Sequence, residues 1–425
     1  MIENFNDLFK VIWQAALIFL VLYFLYKKQI TSVFDPLFFF LITQAFSTTL
    51  ALIQIKDFGY LINYLTCQVF FAMGFNLVTT KIKNITIDDT GVNWKKGEYK
   101  VLAYFTFFGF LLVVLANIYL ISLQGIILFQ DDPTSGKVAT FESGGGIGAV
   151  RRINWGLINL ISILTIYLYV KTKKKNYILM CLVLMLIAIS GGSKSSLLIY
   201  VSIIAIFGLY KSFKFSKTFQ IIDRFKAPIL FSGLILAVFI VIRNGDLNDA
   251  LLGLGIRFLY FGDVILYYYE PNPVSHFQKL NFFDFFKYEF NSLLGMMQLV
   301  PYLNPIGNDM VIYSFSHGES LDITTGPNLP FYVKGHIFFG ALGAIIYSFI
   351  VGVIVGKMRT LLFTNKTSNT KIIIVVFLNV IIFSYPQDSG LTLSNLIDTI
   401  IFSTIPLFLA IMFTLNFKNE QRVAN

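Results

Sequence analysis

Charged residues are scarce in this sequence, which has 425 residues and only 13% Asp, Glu, Lys and Arg. Soluble domains carry about 25% charged residues, so this chain has too few to cover a water-facing surface of its length. Hydrophobic residues make up 56% of it, and the mean hydropathy is +0.72. Apolar runs of about 18 or more residues recur along the chain, and each is long enough to cross a bilayer. The composition excludes a soluble protein and predicts an all-α, polytopic integral membrane protein.

Cysteine and histidine are also rare, with two and three residues. Cys67 and Cys181 lie inside apolar runs, so we expect packing residues rather than a disulfide or a metal pair. No H-x-x-x-H or C-x-x-C spacing occurs, and we expect no zinc-type metal and no cofactor.

Glu3 and Asp7 precede the first apolar run. Because a signal peptide needs a basic start, we expect this run to be a true span.

Basic residues outnumber acidic ones, giving a formal net charge of +10. They sit in short clusters between apolar runs, which is typical of loops that face the anionic cytoplasmic leaflet rather than of nucleic-acid binding. We predict eleven spans, at about 8–26, 34–54, 58–79, 101–123, 153–170, 176–191, 195–210, 227–243, 331–356, 372–386 and 397–416. The basic clusters then share one side, so we expect the N-terminus outside and the C-terminus in the cytoplasm.

Two of the predicted outer loops are long, at about 124–152 and 244–330. We treat the chain as a single membrane domain, 1–425, that carries them. Long loops usually have a function. The stretches 250–269 and 289–303 are apolar and aromatic, with Gly and Pro breaks, which predicts re-entrant or interfacial helices in the larger loop.

Several cations fall on the predicted outer face, against the positive-inside trend. Arg243 ends the eighth span, Arg257 lies among apolar residues, and Arg151 with Arg152 precedes the fifth span. An arginine near hydrocarbon is costly unless an anion meets it, and its planar fork suits phosphate oxygens. These residues are therefore candidates for binding a diphosphate. The alternative is a snorkelling or locally paired arginine, with Asp246, Asp249 and Asp263 as the nearby carboxylates.

The segment Ser190-Gly191-Gly192-Ser193-Lys194-Ser195-Ser196 interrupts an apolar stretch. Ser193 precedes Lys194 where a phosphate-binding P-loop requires glycine, so we do not expect a nucleotide site. A cation at a tight turn beside a helix N-terminus still favours an anion, and Lys194 joins the diphosphate candidates. The alternative is a small-residue turn with a snorkelling lysine.

Candidates for a general base lie at the end of the larger loop. The stretch 316–328 combines His317 with Glu319, Asp322 and several hydroxyls, and His336 follows at the start of span nine. Such groups can deprotonate a sugar hydroxyl, an effect worth about 10²–10⁴ in rate. We take His317, Glu319 and His336 as candidate catalytic residues. The alternative for Glu319 and Asp322 is an ordinary solvated loop charge.

Three stretches resemble the bacterial O-antigen polymerase family (Wzy-type, oligosaccharide repeat unit polymerase). They are Ile189-Ser190-Gly191-Gly192-Ser193-Lys194, Arg257-Phe258-Leu259-Tyr260-Phe261-Gly262, and Thr324-Thr325-Gly326-Pro327-Asn328 leading to Gly335-His336-Ile337-Phe338-Phe339-Gly340. Lys194 stands where the family usually has arginine. The resemblance extends to the whole hydrophobic layout.

The resemblance implies a glycosyltransferase of the bacterial plasma (inner) membrane that makes surface polysaccharide. Its substrates would be undecaprenyl-diphosphate-linked oligosaccharides, joined on the outer face without a nucleotide. Membrane lipids, a chain-length regulator and a flippase would be partners, and nucleic acid would not. A related ligase would share this layout but differ in acceptor. A transporter without chemistry is the other alternative; it should show broken spans and midplane charges, and the spans here are nearly free of charge.

Overall fold

The computed structural model of the chain describes residues 5–79, 87–89, 92, 94–95, 97–129, 147–191, 196–242, 252–253, 255–256, 258–301, 303–316, 326–363 and 368–423. Over these residues the chain is helical and has no strand beyond an isolated bridge between Ile87 and Tyr210. The all-α prediction is confirmed for the part of the chain that is described.

The helices follow the apolar runs of the sequence. They are α1 (Phe5–Tyr26), α2 (Pro36–Gln54), α3 (Phe58–Thr79), α4 (Glu98–Gln124), α5 (Ile147–Thr172), α6 (Lys175–Ser190), α7 (Ser196–Phe207), α8 (Lys211–Lys214), α9 (Lys217–Arg224), α10 (Lys226–Ile242), α11 (Val264–Tyr268), α12 (Pro271–Phe277), α13 (Phe282–Glu289), α14 (Asn291–Met296), α15 (Ile306–Ser316), α16 (Phe331–Leu361), α17 (Asn369–Ile381) and α18 (Ser389–Val423). Single 3₁₀ turns lie at Ile127–Phe129, Tyr260–Gly262 and Ile382–Ser384.

Seven of the described helices are long and apolar enough to cross a membrane: α1 to α5, α16 and α18. Their outward faces are apolar, with Phe24 64% exposed and Leu342 79% exposed. Water would penalise such surfaces and hydrocarbon does not. The chain is therefore a membrane-embedded protein with several transmembrane helices.

The other four predicted spans fall on shorter helices, α6, α7, α10 and α17. Helix α7 has 12 residues, which at 1.5 Å per residue is about 18 Å long, less than the roughly 30 Å hydrocarbon core. It is also buried on most of its surface, including Leu197, Val201, Ile204 and Phe207. The count of eleven spans and the positions of the termini stay predictions, as do the single domain 1–425 and the outer loops 124–152 and 244–330.

The chain packs as two compact units. Unit 1 contains residues 1–85, 234–363 and 381–393, and unit 2 contains residues 86–233, 364–380 and 394–425. The core of unit 1 forms where α3 crosses α16. A Cβ added at Gly74 would come within 2.2 Å of Phe349 O, and one at Gly352 within 2.2 Å of Phe71 O. Together with Gly356, Gly352 forms a G-x-x-x-G pattern, which lets helix backbones touch in a membrane.

Helix α16 is broken at Gly340, whose backbone has φ 68° and ψ −174°. A Cβ added at Gly335 would lie 2.8 Å from the Cα of Ala344, although nine residues of straight helix would separate the two by about 13.5 Å. Residues 331–339, which we name the short leg, therefore fold back against residues 341–361. The predicted span 331–356 therefore contains a helix break that the sequence analysis did not predict, because a hydropathy sum does not depend on the backbone φ of one glycine.

The described residues between α10 and α16 in unit 1 form short helices, α11 to α15. Asn281 and Asp284 form a capping box that starts α13, with Asn281 Oδ1 accepting from the backbone N–H of Phe283 at 2.9 Å. Phe285 of α13 then packs on Phe338 and Phe339 of the short leg, at ring-centroid distances of 5.5 and 5.2 Å. Short helices occur where the sequence predicts interfacial or re-entrant ones, and their position at the membrane surface stays a prediction.

Unit 2 is built around α5, in which residues such as Leu157, Ile161 and Tyr167 are fully buried. Gly156 allows α18 to approach closely, because a Cβ there would lie 2.8 Å from the carbonyl carbon of Asp398. The hydroxyl of Thr399 donates to the carbonyl of Gly156 at 2.7 Å across the same contact. Small side chains thus bring α5 and α18 together, as in unit 1.

Candidate functional site

Eight residues were predicted to carry chemistry, and the structure describes three of them. Arg151 and Arg152 lie on α5, and His336 lies on the short leg of α16. The other five lie outside the described residues. These are Lys194, Arg243, Arg257, His317 and Glu319. Their roles stay predictions.

His336 is buried, with 2% of its surface exposed. Its Nδ1 is 2.6 Å from the hydroxyl of Tyr268 on α11 and 3.2 Å from the Nε2 of Gln278. Tyr60 of α3 faces the ring edge-on at 5.7 Å. The short leg therefore places this imidazole between α3 and the short helices of the predicted outer loop.

The hydrogen bonds at Nδ1 determine what His336 can do. With the Gln278 amide in this orientation its nitrogen donates, so Nδ1 accepts and a neutral ring carries its proton on Nε2. The basic nitrogen of His336 is then already in contact with the Tyr268 hydroxyl. A substrate would transfer its proton to His336 through Tyr268, whose side chain the sequence analysis did not select.

A buried ionic cluster lies on the same short leg. Lys334 Nζ donates to Glu289 Oε1 of α13 at 2.5 Å and to Ser389 Oγ of α18 at 2.7 Å. Ser389 Oγ also donates to Glu289 Oε1, at 2.5 Å. The side chains of Lys334 and Glu289 are 4% and 3% exposed. Charges this deeply buried persist only when they are paired and hydrogen-bonded.

Asp388 adds a second carboxylate beside this cluster. It is half-buried and accepts a hydrogen bond from the backbone N–H of Leu391 at 2.9 Å. Burial raises the pKa of Asp388, the attraction of Lys334 opposes that rise, and repulsion from Glu289 adds to it. The second oxygen of Glu289, Oε2, is buried and has no hydrogen-bond partner among the described residues.

Asp263, in the predicted larger loop, is a further titratable group of unit 1. Burial raises the pKa of Asp263 to about 7, and backbone N–H groups of its own turn oppose this. The preceding Gly262 lies against Ser47 of α2, whose hydroxyl is 2.9 Å from the hydroxyl of Tyr332 on the short leg. A carboxyl group that titrates near neutral pH suits general acid–base catalysis.

Arg152 is paired inside unit 2. Its Nη2 is 2.9 Å from Asp398 Oδ1, and its Nε contacts both carboxylate oxygens at 3.1 Å. Arg152 is thus paired with a distant carboxylate that the sequence analysis did not consider, and its role in binding a diphosphate stays a prediction. Arg151 lies over the ring of Trp155, at 4.4 Å from guanidinium carbon to ring centroid. The geometry of the described residues does not assign a diphosphate to either arginine.

Sequence reasoning missed the polar residues that the short leg brings together, namely Lys334, Glu289, Ser389, Asp388, Tyr268 and Gln278. A signal was available at Lys334, because a lysine four residues into an apolar run is costly without a partner. Its partners, however, lie 45 and 55 residues away in the chain. Only the fold-back at Gly340 and the packing of α13 bring them into contact.

No group of three His, Cys, Asp or Glu side chains that could hold a metal ion occurs within the described ranges. Comparison of the chain with family profiles, with curated proteins and with solved structures finds no match. The function must therefore be argued from the residues of this chain.

Proposed function

We propose that this protein polymerises undecaprenyl-diphosphate-linked oligosaccharide units into a surface polysaccharide, such as O-antigen or capsule, at the outer face of the bacterial inner membrane. The glycan of a donor leaves its lipid diphosphate and joins the non-reducing end of a lipid-linked acceptor. The acceptor hydroxyl attacks the anomeric carbon, the bond to the diphosphate oxygen breaks, and the hydroxyl proton passes to a base. The stored energy of the diphosphate bond drives the reaction.

The observation that carries this proposal is the position of the polar short leg. His336 and Lys334 contact Tyr268 and Glu289, two residues from the region 244–330 that the sequence predicts as the outer loop. Polar groups on a membrane protein that meet at such a loop suit a substrate with a lipid tail and a polar head. Three-dimensional packing thus supports the sequence interpretation that this loop and the start of α16 act together.

Each candidate residue has a proposed role. Arg243, Arg257 and Lys194 bind the leaving diphosphate, since charge-assisted hydrogen bonds stabilise its developing charge. Arg151 and Arg152 support them, and Arg152 is also paired with Asp398. The base is His317, Glu319 or His336, and His336 acts through Tyr268. Asp263 joins these candidates, because its pKa of about 7 lets it accept a proton near neutral pH.

The proposal predicts elongation by the isolated protein. Purified protein in vesicles, supplied with lipid-linked repeat units, should give a ladder of longer lipid-linked glycans on a sizing gel. Arg257→Ala should reduce elongation by more than about 100-fold, as expected for losing a group that stabilises the transition state. Arg224→Ala, at the exposed end of α9, is the matched control and should elongate normally. If parent protein leaves the single units unchanged, the polymerase proposal is wrong.

One observation favours a transporter instead. A broken helix with buried charges beside the break is typical of transporter binding sites, and α16 has both. The same vesicles separate the two functions. A transporter moves lipid-linked units between leaflets without lengthening them, whereas a polymerase lengthens units that are already on its own side.

The outer position of the loop is tested by labelling. Both cysteines, Cys67 and Cys181, are buried, so a cysteine introduced at the exposed Lys279 gives a specific signal. A maleimide that cannot cross membranes should label Lys279→Cys from the outside of intact cells. Labelling only after the cytoplasmic side is opened would place the loop inside and contradict the proposed topology.

A further inference from the structure

The ionic cluster on the short leg has more negative than positive groups. Lys334 supplies one cation, and Glu289 and Asp388 supply two carboxyl groups. Among the described residues, the other titratable groups facing it are the phenols of Tyr347 on α16 and of Tyr385, which are neutral at ordinary pH. If both carboxyl groups were ionised, the cluster would hold one uncompensated negative charge.

The two carboxyl groups approach each other beside Gly390. The position that a Cβ of Gly390 would occupy is 3.7 Å from Asp388 Oδ1 and 3.8 Å from Glu289 Oε2. The carbonyl oxygen of Tyr288 lies 3.6 Å from the same point. Three oxygen atoms therefore surround a space in which no described group donates a hydrogen bond to Glu289 Oε2.

The environment of Glu289 Oε2 is a second observation, independent of the charge balance. Glu289 is 4% exposed, and its Oε2 is buried with no partner among the residues that the structure describes, whereas its Oε1 accepts two hydrogen bonds. A buried carboxylate oxygen without a donor costs free energy. A proton on the facing Asp388 would supply that donor, directly or through one water, and would also neutralise the surplus charge.

We propose that Asp388 holds one exchangeable proton in the folded protein and donates it, directly or through one water, to Glu289 Oε2, with Lys334 balancing the charge of Glu289. Two carboxyl groups that share a site cannot both ionise easily, so one of them keeps its proton. The proton comes from water and returns to it, and no other reactant is needed. This proton site is independent of the glycan chemistry and would exist equally in a transporter.

The site makes stability depend on pH in a defined direction. The pKa of Asp388 is raised in the folded protein, so above the ordinary aspartate range the folded state binds a proton that the unfolded state has lost. Stability is then greatest at low pH and falls as pH rises towards the raised pKa. Within that window the unfolding equilibrium constant should increase about tenfold per pH unit from this site alone.

The test is unfolding of the full-length protein in detergent micelles between about pH 5 and pH 8. Asp388→Asn keeps the size of the neutral acid and should lose the tenfold dependence per pH unit. Glu289→Gln should weaken it, because the amide removes the competing charge. Asp57→Asn is the control, because Asp57 is exposed and its carboxylate accepts a hydrogen bond from the backbone N–H of Tyr60. This variant should keep the pH dependence of stability of the parent protein. An unchanged dependence in Asp388→Asn would overturn the proposal.

A second variant retains both carboxyl groups, so the proposal can still be tested if Asp388→Asn fails to fold. Gly390→Ala places a methyl group at ordinary contact distance from all three oxygens, which further desolvates the site and should extend the window to higher pH. Infrared spectra of the parent protein at the acid end of this pH range should also show a protonated carboxylic acid band that is weaker in Asp388→Asn. Stabilisation by Na⁺ but not by K⁺ at equal ionic strength, without that band, would instead indicate a metal-ion site and reject the proton.

Discussion

An ionic pair of unit 2 and the ionic cluster on the short leg of unit 1 differ in the charges that the described residues bring together. In unit 2, Arg152 near the start of α5 meets the carboxylate of Asp398. In unit 1, Lys334 near the start of α16 meets Glu289, with Asp388 close by. The charges of Arg152 and Asp398 cancel, whereas Lys334 balances its two carboxyl groups only when one of them holds a proton.

The helix contacts and hydrogen bonds around the two clusters also differ. Asp398 lies where Gly156 lets two helices touch, and Arg152 binds it with both Nε and Nη2. The pair of Arg152 and Asp398 stabilises the contact between α5 and α18. The Lys334 cluster lies beside a helix break, and one of its carboxylate oxygens has no hydrogen-bond partner in the described part of the chain. A bidentate ion pair at a helix contact suits a structural role, and a cluster with an unsatisfied oxygen suits binding.

The largest expected effect comes from Lys334→Met, which removes the only cation of the unbalanced cluster. It should cost about 4 kcal/mol of unfolding free energy at neutral pH, because Glu289 is left buried and unpaired. Lowering the pH should recover part of the loss as the carboxyl groups take up protons. Denaturant unfolding in micelles measures this. Lys287→Met, whose side chain is 54% exposed in its pair with Asp284, should cost less than about 1 kcal/mol.

Arg152→Met should break the balanced pair with a smaller loss, about 3 kcal/mol, since Arg152 keeps 22% of its side chain exposed. Adding Asp398→Leu removes the buried carboxylate that Arg152→Met leaves unpaired, so the double variant should lie within about 1 kcal/mol of the parent protein. Arg151→Met is the neighbouring control, and losing its contact with Trp155 should cost about 0.5–1 kcal/mol. Equal losses for Arg151→Met and Arg152→Met would contradict the importance given to this pair.

The smallest effects should come from the hydroxyls. Ser389→Ala removes a charge-assisted bond to Glu289 and should cost about 2 kcal/mol, whereas Thr399→Ala removes a neutral bond to the Gly156 carbonyl and should cost about 1 kcal/mol. Thermal unfolding of both variants under the same condition measures the two losses of stability and so their ratio. If the two losses were reversed, the charged cluster would not be the more tightly bonded of the two.

Local signals in the sequence predicted most helices well. Asp35 and Pro36 mark the start of α2, and Asp35 does accept from the Leu37 N–H as an N-cap. Capping and hydropathy act over a few neighbouring residues, so they can be read locally. The break at Gly340 could not be predicted in this way, since a glycine inside an apolar run is compatible with both a straight and a folded helix.

The candidate site was less predictable than the fold. His336 was selected from sequence, but its contact with Tyr268 depends on a separation of 68 residues. Arg359 belongs to a basic cluster that follows the predicted span 331–356, yet it is fully buried and paired with Asp35 across 324 residues. Charge counts describe how many ions a segment has, and they do not identify which partner each ion meets.

The sequence alone determined that this protein is helical and lies in a membrane. Burial of long apolar runs is a sum over residues, and the sum does not depend on how those runs are arranged. The tertiary structure decided which charges are paired, because electrostatic energy depends on the distance between groups that lie far apart in the chain. The second carboxyl group beside Lys334 could be identified only from the tertiary structure, because the folded-back short leg brings the two groups together.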